Sequence, residues 1–151
     1  MSSKIHHKQI SVVAKSAVMT SVTGTLDETT LATITIPKDS LGPTGILRIS
    51  YLFTVPLNSN VKYIRVRFGG TSFIYAQFTN TTTVSGQVDI YNRGVTNSQV
   101  SYPTYNRFGI AAAAKSDGTV DTTLDKDITI TAQLTNISDT IKLEAYIVEI
   151  L

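Results

Sequence analysis

Histidine, the side chain best suited to acid–base chemistry near neutral pH, occurs in this chain only at His6 and His7. Neighbouring side chains of an extended segment point to opposite sides, so these two imidazoles do not chelate one metal ion well. A Ser-His-Asp triad needs a histidine held in a rigid cleft, whereas both histidines lie near the amino terminus. The chain has no cysteine, which excludes a thiolate nucleophile and a thiolate metal site. The sequence therefore predicts a protein that is not an enzyme and that needs no cofactor.

Carboxylates are the other candidates for chemistry. The segment Asp117-Gly118-Thr119-Val120-Asp121, followed by Asp125 and Asp127, could offer oxygen ligands to calcium. Its spacing does not match an EF-hand loop, and the alternative is a solvated turn with its corner at Asp117-Gly118. The sequence leaves open whether this loop binds calcium. Nothing in it places two acidic side chains at the ~5–9 Å separation that glycoside hydrolysis requires.

Two groups of arginine and tyrosine residues are candidates for binding a partner. Tyr63, Arg65 and Arg67 alternate along one predicted strand and so share a face, which could bind an anion, a sugar or another subunit. The alternative is an ordinary solvated face. The chain has no tryptophan to support a dedicated glycan platform. The second group comprises Tyr91, Arg93, Tyr102, Tyr105 and Arg107.

The first 16 residues differ from the rest of the chain. They carry Lys4, Lys8 and Lys15 and no acidic residue, and their apolar residues follow no clear period. We predict an amino-terminal arm over residues 1–16 and a β-sandwich domain over residues 17–151. Ile10 and Val12 could add a strand to the sheet of a neighbouring subunit, with Lys4 and Lys8 as further contacts. The alternative is a frayed terminus, and either way we expect the fold to survive removal of residues 1–15.

Period-two alternation of apolar and polar residues runs through the rest of the chain and must position these groups. It puts Leu47, Ile49, Tyr51, Phe53 and Val55 on one face of a strand. Near the carboxyl end it puts Leu143, Ala145 and Ile147 on an apolar face opposite Lys142, Glu144 and Tyr146. Gly69-Gly70 separates two such runs, and without a lysine or further glycines it indicates a hairpin rather than a phosphate loop.

Turn signals between the runs divide the chain into about nine strands, and no long segment has the pattern of an amphipathic helix. The sequence thus predicts an all-β fold, an antiparallel two-sheet sandwich of the jelly-roll kind with about 8–9 strands. The predicted strands cover residues 17–24, 29–36, 46–55, 62–68, 71–78, 84–92, 98–114 (broken near Pro103), 127–134 and 141–150.

The composition of the chain excludes fewer functions than its motifs do. A chain of 151 residues with 42% apolar residues is too apolar to be disordered and fits one domain. The net charge of +2 gives no reason to expect nucleic acid as a partner. The first residues lack the apolar core of a secretory signal, and no apolar run approaches the ~20 residues that span a bilayer. We therefore expect neither nucleic acid nor a membrane as a partner.

The stretch from Leu31 to Pro103 contains five short motifs, namely Ile36-Pro37, Leu41-Gly42-Pro43-Thr44-Gly45, Asn60-Val61-Lys62, Arg65 to Thr71 and Asn92-Arg93-Gly94. With these motifs the stretch resembles small β-sandwich virion proteins of tailed bacteriophages and prophages. The stretch covers about half of the chain and includes no catalytic motif. The resemblance implies a jelly-roll-like subunit that is made in the host cytoplasm and located in the virion.

The resemblance implies two specific functions. The first is a capsid cement or decoration protein, a homo-trimer that stabilises the shell by bridging copies of the major capsid protein or another virion protein. The alternative is a module of a tail fibre, baseplate or spike that binds a host-surface glycan, with Tyr91 to Arg107 as the contact region. Both are binding functions without catalysis.

Overall fold

The computed structural model describes residues 10–104 and 111–151. The described residues form an all-β fold without a helix, as the sequence predicts. The strands are β1 (Ser11–Ser16), β2 (Thr20–Thr23), β3 (Thr29–Ile36), β4 (Ile46–Thr54), β5 (Lys62–Phe68), β6 (Thr71–Phe78), β7 (Thr83–Asn92), β8 (Gln99–Ser101), β9 (Ser116–Gly118), β10 (Lys126–Leu134) and β11 (Thr140–Ile150).

The strands form two antiparallel sheets. A seven-stranded sheet has the order β1-β11-β4-β7-β8-β9, with β2 also paired to β11 beside β1. A four-stranded sheet has the order β3-β10-β5-β6. From β2 to β7, and again from β10 to β11, the chain crosses between the sheets at every step except the β5–β6 hairpin. This path through eight strands is that of a jelly roll, so the predicted fold class is confirmed.

The apolar face of each strand lies in the core between the two sheets. Leu47, Ile49 and Phe53 of β4 are fully buried, and Ile128 and Ile130 of β10 face them from the other sheet in one hydrophobic cluster. Alternation along these strands was therefore a correct guide to burial. Threonine suits the outward positions because its branched Cβ favours the extended backbone while its hydroxyl tolerates water.

The predicted alternation of β11 is wrong beyond Leu143. A bulge between Leu143 and Ala145 shifts the register against β4, because the extra residue reverses which side chains face the core. Leu143 is buried, but Ile147 is 42% exposed on the outer face. Val148 takes the inward position instead. The bulge thus leaves apolar side chains on the outside of the seven-stranded sheet.

Two strands were not predicted, β1 and β9. Residues 116–118 were interpreted as a turn, but they pair with β8 and place Asp117 opposite Val100. Gly118 permits this pairing, because a Cβ there would lie 2.7 Å from the ring of Phe73. The predicted strand over residues 98–114 ends at Ser101, and residues 111–115 are not in a strand. Residues 105–110 of that prediction lie outside the described residues.

The described part of the predicted arm forms β1, which pairs with the outer edge of β11 in the chain's own sheet. Val13 and Ala14 are half-buried against the core, whereas Ile10 and Val12 are 56% and 51% exposed. Lys4 and Lys8 lie outside the described residues. The arm boundary at residue 16 and the contacts of these side chains with a partner remain predictions.

Removing residues 1–16 tests that boundary. Because β1 contributes only two half-buried apolar side chains to the core, we expect the truncated protein to fold with a melting temperature a few degrees lower. Circular dichroism and calorimetry measure both properties, and removal of residues 1–9 alone is the control, which leaves β1 in place. Failure of the longer truncation to fold would show that β1 is essential to the folded domain.

Two of the motifs behind the resemblance to virion proteins contact each other, the Leu41–Gly45 turn and the Asn92–Gly94 turn. The backbone N–H of Asn92 donates to the carbonyl oxygen of Gly45 at 3.0 Å, and that of Gly94 donates to Pro43 at 2.9 Å. The side-chain amide of Asn92 also donates to the carbonyl of Gly42, at 2.6 Å. The glycine–proline turn and the Asn-Arg-Gly turn therefore hold each other in place.

Gly69 and Gly70 form the predicted hairpin between β5 and β6, which confirms that interpretation. Both have positive φ, at 54° and 82°, as a two-residue turn of the primed type requires. A Cβ on Gly69 would also lie 2.6 Å from a methyl group of Val120. The turn therefore needs glycine for its backbone conformation and for its close contact with the neighbouring loop.

Gly86 of β7 gives another glycine prediction. An added Cβ would lie 2.4 Å from the hydroxyl oxygen of Tyr51, whose ring covers this position. We expect Gly86→Ala to lower the free energy of unfolding by about 1–3 kcal/mol, because the ring must move within a packed core. Urea denaturation measures the change, with Ser85→Ala on the exposed side of the same strand as control. Equal stability of the two variants would mean that the ring moves without cost.

Candidate interaction surfaces

The structure places Tyr63, Arg65 and Arg67 on the outer face of the four-stranded sheet, as predicted, and adds two residues to them. Tyr75 of β6 lies opposite Arg65 in the register, and its ring stacks on that of Tyr63 with centroids 5.7 Å apart. The Arg65 guanidinium lies 4.7 Å from the Tyr75 ring centroid and 5.4 Å from that of Tyr63. Glu28, just before β3, completes this arginine–tyrosine cluster.

Glu28 binds both arginines of the cluster. Arg67 donates to both of its carboxylate oxygens, and the Thr131 hydroxyl donates to one of them at 2.6 Å. One terminal nitrogen of Arg65 makes an ion pair with Glu28 at 3.4 Å but no hydrogen bond, while the other donates to Gln133 at 3.1 Å. The cluster therefore ties the segment before β3 to the middle of the sheet.

The pKa of Glu28 should give the cluster a measurable pH dependence. The hydrogen bond from Arg67 holds that pKa below its ordinary value, against partial burial, which raises it. A lowered pKa in the folded state stabilises the fold at pH values above the unfolded value, and this contribution is lost as the pH falls through the folded value.

We therefore expect the wild type to be more stable than Glu28→Gln at pH 7, and the difference to shrink below about pH 4. Urea denaturation across pH 3–7 tests this, with Asp27→Asn as a neighbouring control. A stability difference that is constant over this range would show that the Glu28 charge has no role.

The cluster leaves little aromatic surface free for a ligand. Its two tyrosine rings stack on each other and are covered by the Arg65 guanidinium, and the Arg65 side chain is only 14% exposed. A sugar ring that stacks on tyrosine needs an open face of the ring. The alternating tyrosine and arginine residues of β5 therefore connect this strand to its neighbouring strands and to the segment before β3.

The second predicted group is only partly described. Tyr91 is 40% exposed on β7, and its hydroxyl donates to Asp89 at 3.5 Å. Burial and then the charge of Asp89 raise the pKa of Tyr91. Arg93 makes an ion pair with Asp117 at 3.5 Å, and Tyr102 is half-buried just after β8. Tyr105 and Arg107 lie outside the described residues. The described members thus lie around β7, β8 and β9, at the edge of the seven-stranded sheet.

The acidic segment from Asp117 to Asp127 has its own partners. Lys115 and Arg93 bind Asp117, Thr123 donates to Asp121 from its backbone and its hydroxyl, and Lys38 donates its backbone N–H to Asp125. Hydrogen bonds from Thr123 lower the pKa of Asp121. Within residues 10–104 and 111–151, no group of three or more His, Cys, Asp or Glu side chains could hold a metal ion.

Exposed apolar side chains lie on the outer face of the seven-stranded sheet. Leu52 of β4 is 37% exposed and lies opposite Ala145 of β11, and Ile147 of β11 is 42% exposed and lies opposite Ser50 of β4. These four residues form what we name the outer apolar face. A shallow depression of about 440 Å³ lies over them and extends to Gly86. Sequence reasoning missed this face because the bulge in β11 creates it.

A buried lysine was also missed. Lys62 is fully buried, and its amine donates to the side-chain oxygen of Asn58 at 2.6 Å and to the backbone carbonyl of Asn60 at 2.9 Å. The side-chain amides of these two asparagines donate to the two carboxylate oxygens of Asp139, at 2.8 and 3.0 Å. The network joins the loop after β4 to the loop before β11. Its signal was available, because Lys62 has the same parity as Ile64 and Val66.

Comparison with known proteins gives little further information. No protein-family model matches this chain, and no curated protein matches it. A similar solved structure is the CBM2 module of the evolved Dit of Lactobacillus casei BL23 phage J-1, with a TM-score of 0.39 and 11% sequence identity over 78% of this chain and 67% of that chain. The strand order of this chain, and not that likeness, defines its fold. Among the described residues, no helix has the length and hydropathy needed to cross a membrane.

Proposed function

We propose that this protein is a non-enzymatic structural subunit of a tailed-phage virion, which acts by binding neighbouring subunits. The observation that carries the proposal is the outer apolar face. Leu52 of β4 and Ile147 of β11 are exposed on the outside of the seven-stranded sheet, whereas inward side chains of the same strands, such as Phe53 and Val148, are buried in the core. Exposed apolar patches on well-packed domains typically mark protein contacts. The resemblance of the sequence to small virion β-sandwich proteins supports a virion as the place of those contacts.

Within the virion we propose a capsid cement or decoration protein, which bridges copies of the major capsid protein and stabilises the shell. Several weak contacts on one assembly act together, so each contact can be weak alone. The sequence resemblance implies a trimer, and the mass of the purified protein tests that number. No charge excess draws the protein to nucleic acid, in keeping with a position on a protein surface.

Heating purified shells with and without the protein tests the cement function. We expect decorated shells to rupture at a higher temperature, and the Leu52→Asp variant to bind or protect less than the wild type. Thr129→Asp, on the outer face of the other sheet, is the matched control. Equal rupture temperatures for bare and decorated shells would contradict a cement function.

A tail-associated module that binds a host-surface glycan is the second candidate. The exposure of Tyr91 favours it, because this residue is 40% exposed on β7 and its side chain can contact a ligand. A glycan array with the wild type, Tyr91→Ala and Tyr102→Ala tests this function. Specific binding that either substitution abolishes would favour the tail module, and immunogold labelling of the virion would show whether the protein lies on the tail or the shell.

A further inference from the structure

The large and small side chains of the outer apolar face are arranged so that the face is complementary to a second copy of itself. Ile147 lies opposite Ser50 across the β11–β4 pair, and Ala145 lies opposite Leu52. Large and small side chains therefore alternate both along each strand and across the pair. Ile147 and Leu52 protrude, whereas Ser50 and Ala145 are half-buried under the depression of about 440 Å³.

We propose that this face binds the same face of a second copy of the chain, so that two sandwiches pack sheet against sheet about a two-fold axis. Sheets that pack face to face lie roughly 10 Å apart with nearly aligned strands. A two-fold axis in the plane of the sheet can run across the strands or along them. Either direction places each protruding side chain of one copy over a small side chain of the other. Such a contact is isologous and closes on itself.

Charges beside the face are complementary under the same symmetry. Glu149 and Arg48 lie opposite each other on one side of the four residues, and Lys142 lies opposite Thr54 on the other side. An axis across the strands brings Glu149 of one copy to Lys142 of the second copy. An axis along the strands brings Glu149 to Arg48 of the second copy. Both arrangements pair opposite charges, which favours correct pairing and disfavours other partners.

A comparison with the outer face of the four-stranded sheet favours the outer apolar face as the site where the second copy binds. The outer face of the four-stranded sheet is occupied by the arginine–tyrosine cluster, in which Glu28 and the tyrosine rings already bind the two arginines. Asp89 is likewise bound by Arg48 through two hydrogen bonds, at 2.9 and 3.1 Å. The outer apolar face has exposed apolar groups without such local partners. Two-fold pairing gives an even number of copies, in contrast to the trimer that the sequence resemblance implies.

Sedimentation equilibrium of the full chain, over the widest concentration range it tolerates, tests the pairing. We expect a reversible monomer–dimer equilibrium in the wild type and a dissociation constant at least tenfold higher in Leu52→Asp. Thr129→Asp on the other sheet is the control and should dimerise like the wild type. Leu52 is partly exposed, so its variant is expected to fold, and circular dichroism checks this. Ile147→Ser is a second variant, which introduces no charge, and it should also weaken the dimer.

A size exchange sharpens the test. Ala145→Ile alone puts a large side chain where the second copy presents another, and should weaken the dimer. Adding Ile147→Ala restores the alternation if the axis runs across the strands, and does not restore it if the axis runs along them. Restoration supports the pairing with an axis across the strands, and failure of restoration excludes that axis. A wild-type protein that is a monomer at all concentrations, or a trimer, would overturn the proposal.

A dimer insensitive to both Leu52→Asp and Ile147→Ser would also overturn the proposal. The pairing and the virion function are argued from the same outer apolar face, and the two experiments test them separately. Shells unaffected by the protein would contradict the cement function and leave this dimer unchanged.

Discussion

Phe53→Ala is expected to lower the free energy of unfolding by about 3–5 kcal/mol. Phe53 is fully buried near the end of β4, which pairs with β7 on one side and β11 on the other. Its ring also meets that of Tyr51 edge to face, with centroids 5.7 Å apart. Removing the ring leaves a cavity between two rigid sheets, and strands paired on both sides cannot move in to fill it.

Urea denaturation at neutral pH measures this loss. Leu52→Ala is the matched control, because Leu52 is the next residue along the strand and faces outward. We expect the control to cost less than about 1 kcal/mol in the monomer, since surface substitutions change stability little. A small loss for Phe53→Ala, or equal losses for the two variants, would mean that the inward and outward faces of β4 are assigned wrongly.

Lys62→Met is expected to destabilise the fold by roughly 2–5 kcal/mol, although methionine fills a similar volume. The substitution removes the amine that donates to the side-chain oxygen of Asn58 and to the backbone carbonyl of Asn60. The Asn58 oxygen keeps the backbone N–H of Asn60 as a donor, at 3.1 Å, whereas the Asn60 carbonyl loses the amine. Each unsatisfied buried polar group costs about 1–3 kcal/mol. It also removes the buried cation that lies, through two asparagines, near the carboxylate of Asp139.

Lys142→Met on exposed β11 is the control, and it removes the same charge from the surface. Denaturation curves of both variants separate the effect of burial from the effect of net charge. The double variant Lys62→Met with Asp139→Asn should lose less than the sum of the two single losses, because the groups belong to one network. A Lys62→Met protein as stable as the wild type would show that the network does not contribute to folding.

The sequence was sufficient to predict features that depend on the local geometry of one strand or one turn. Alternation along β4 correctly assigned its buried face, and the Gly69-Gly70 hairpin was predicted from two residues. Period-two spacing also put Tyr63, Arg65 and Arg67 on one face, which the structure confirms. These features depend on local backbone geometry, which the sequence expresses directly.

Features that depend on pairing between distant strands were not predictable in the same way. The position of Glu28 beside Arg67 depends on how three strands pair, which the sequence does not show. The exposure of Ile147 depends on a β-bulge, and no turn residue in the sequence indicates that bulge. The short strand β9 lies at a sheet edge and has only three residues, so it has almost no pattern of its own. Lys62 is a different case. Its spacing from Ile64 and Val66 indicated an inward position, but a charged residue was not expected in the core.

Electron cryomicroscopy of tailed-phage particles purified from the source of this chain is the most direct test of its proposed virion role. We expect a jelly-roll density on the particle, with Leu52 and Ile147 covered by protein and no groove holding a substrate. A particle that lacks the protein altogether, while the free chain converts a small molecule in solution, would contradict a structural role.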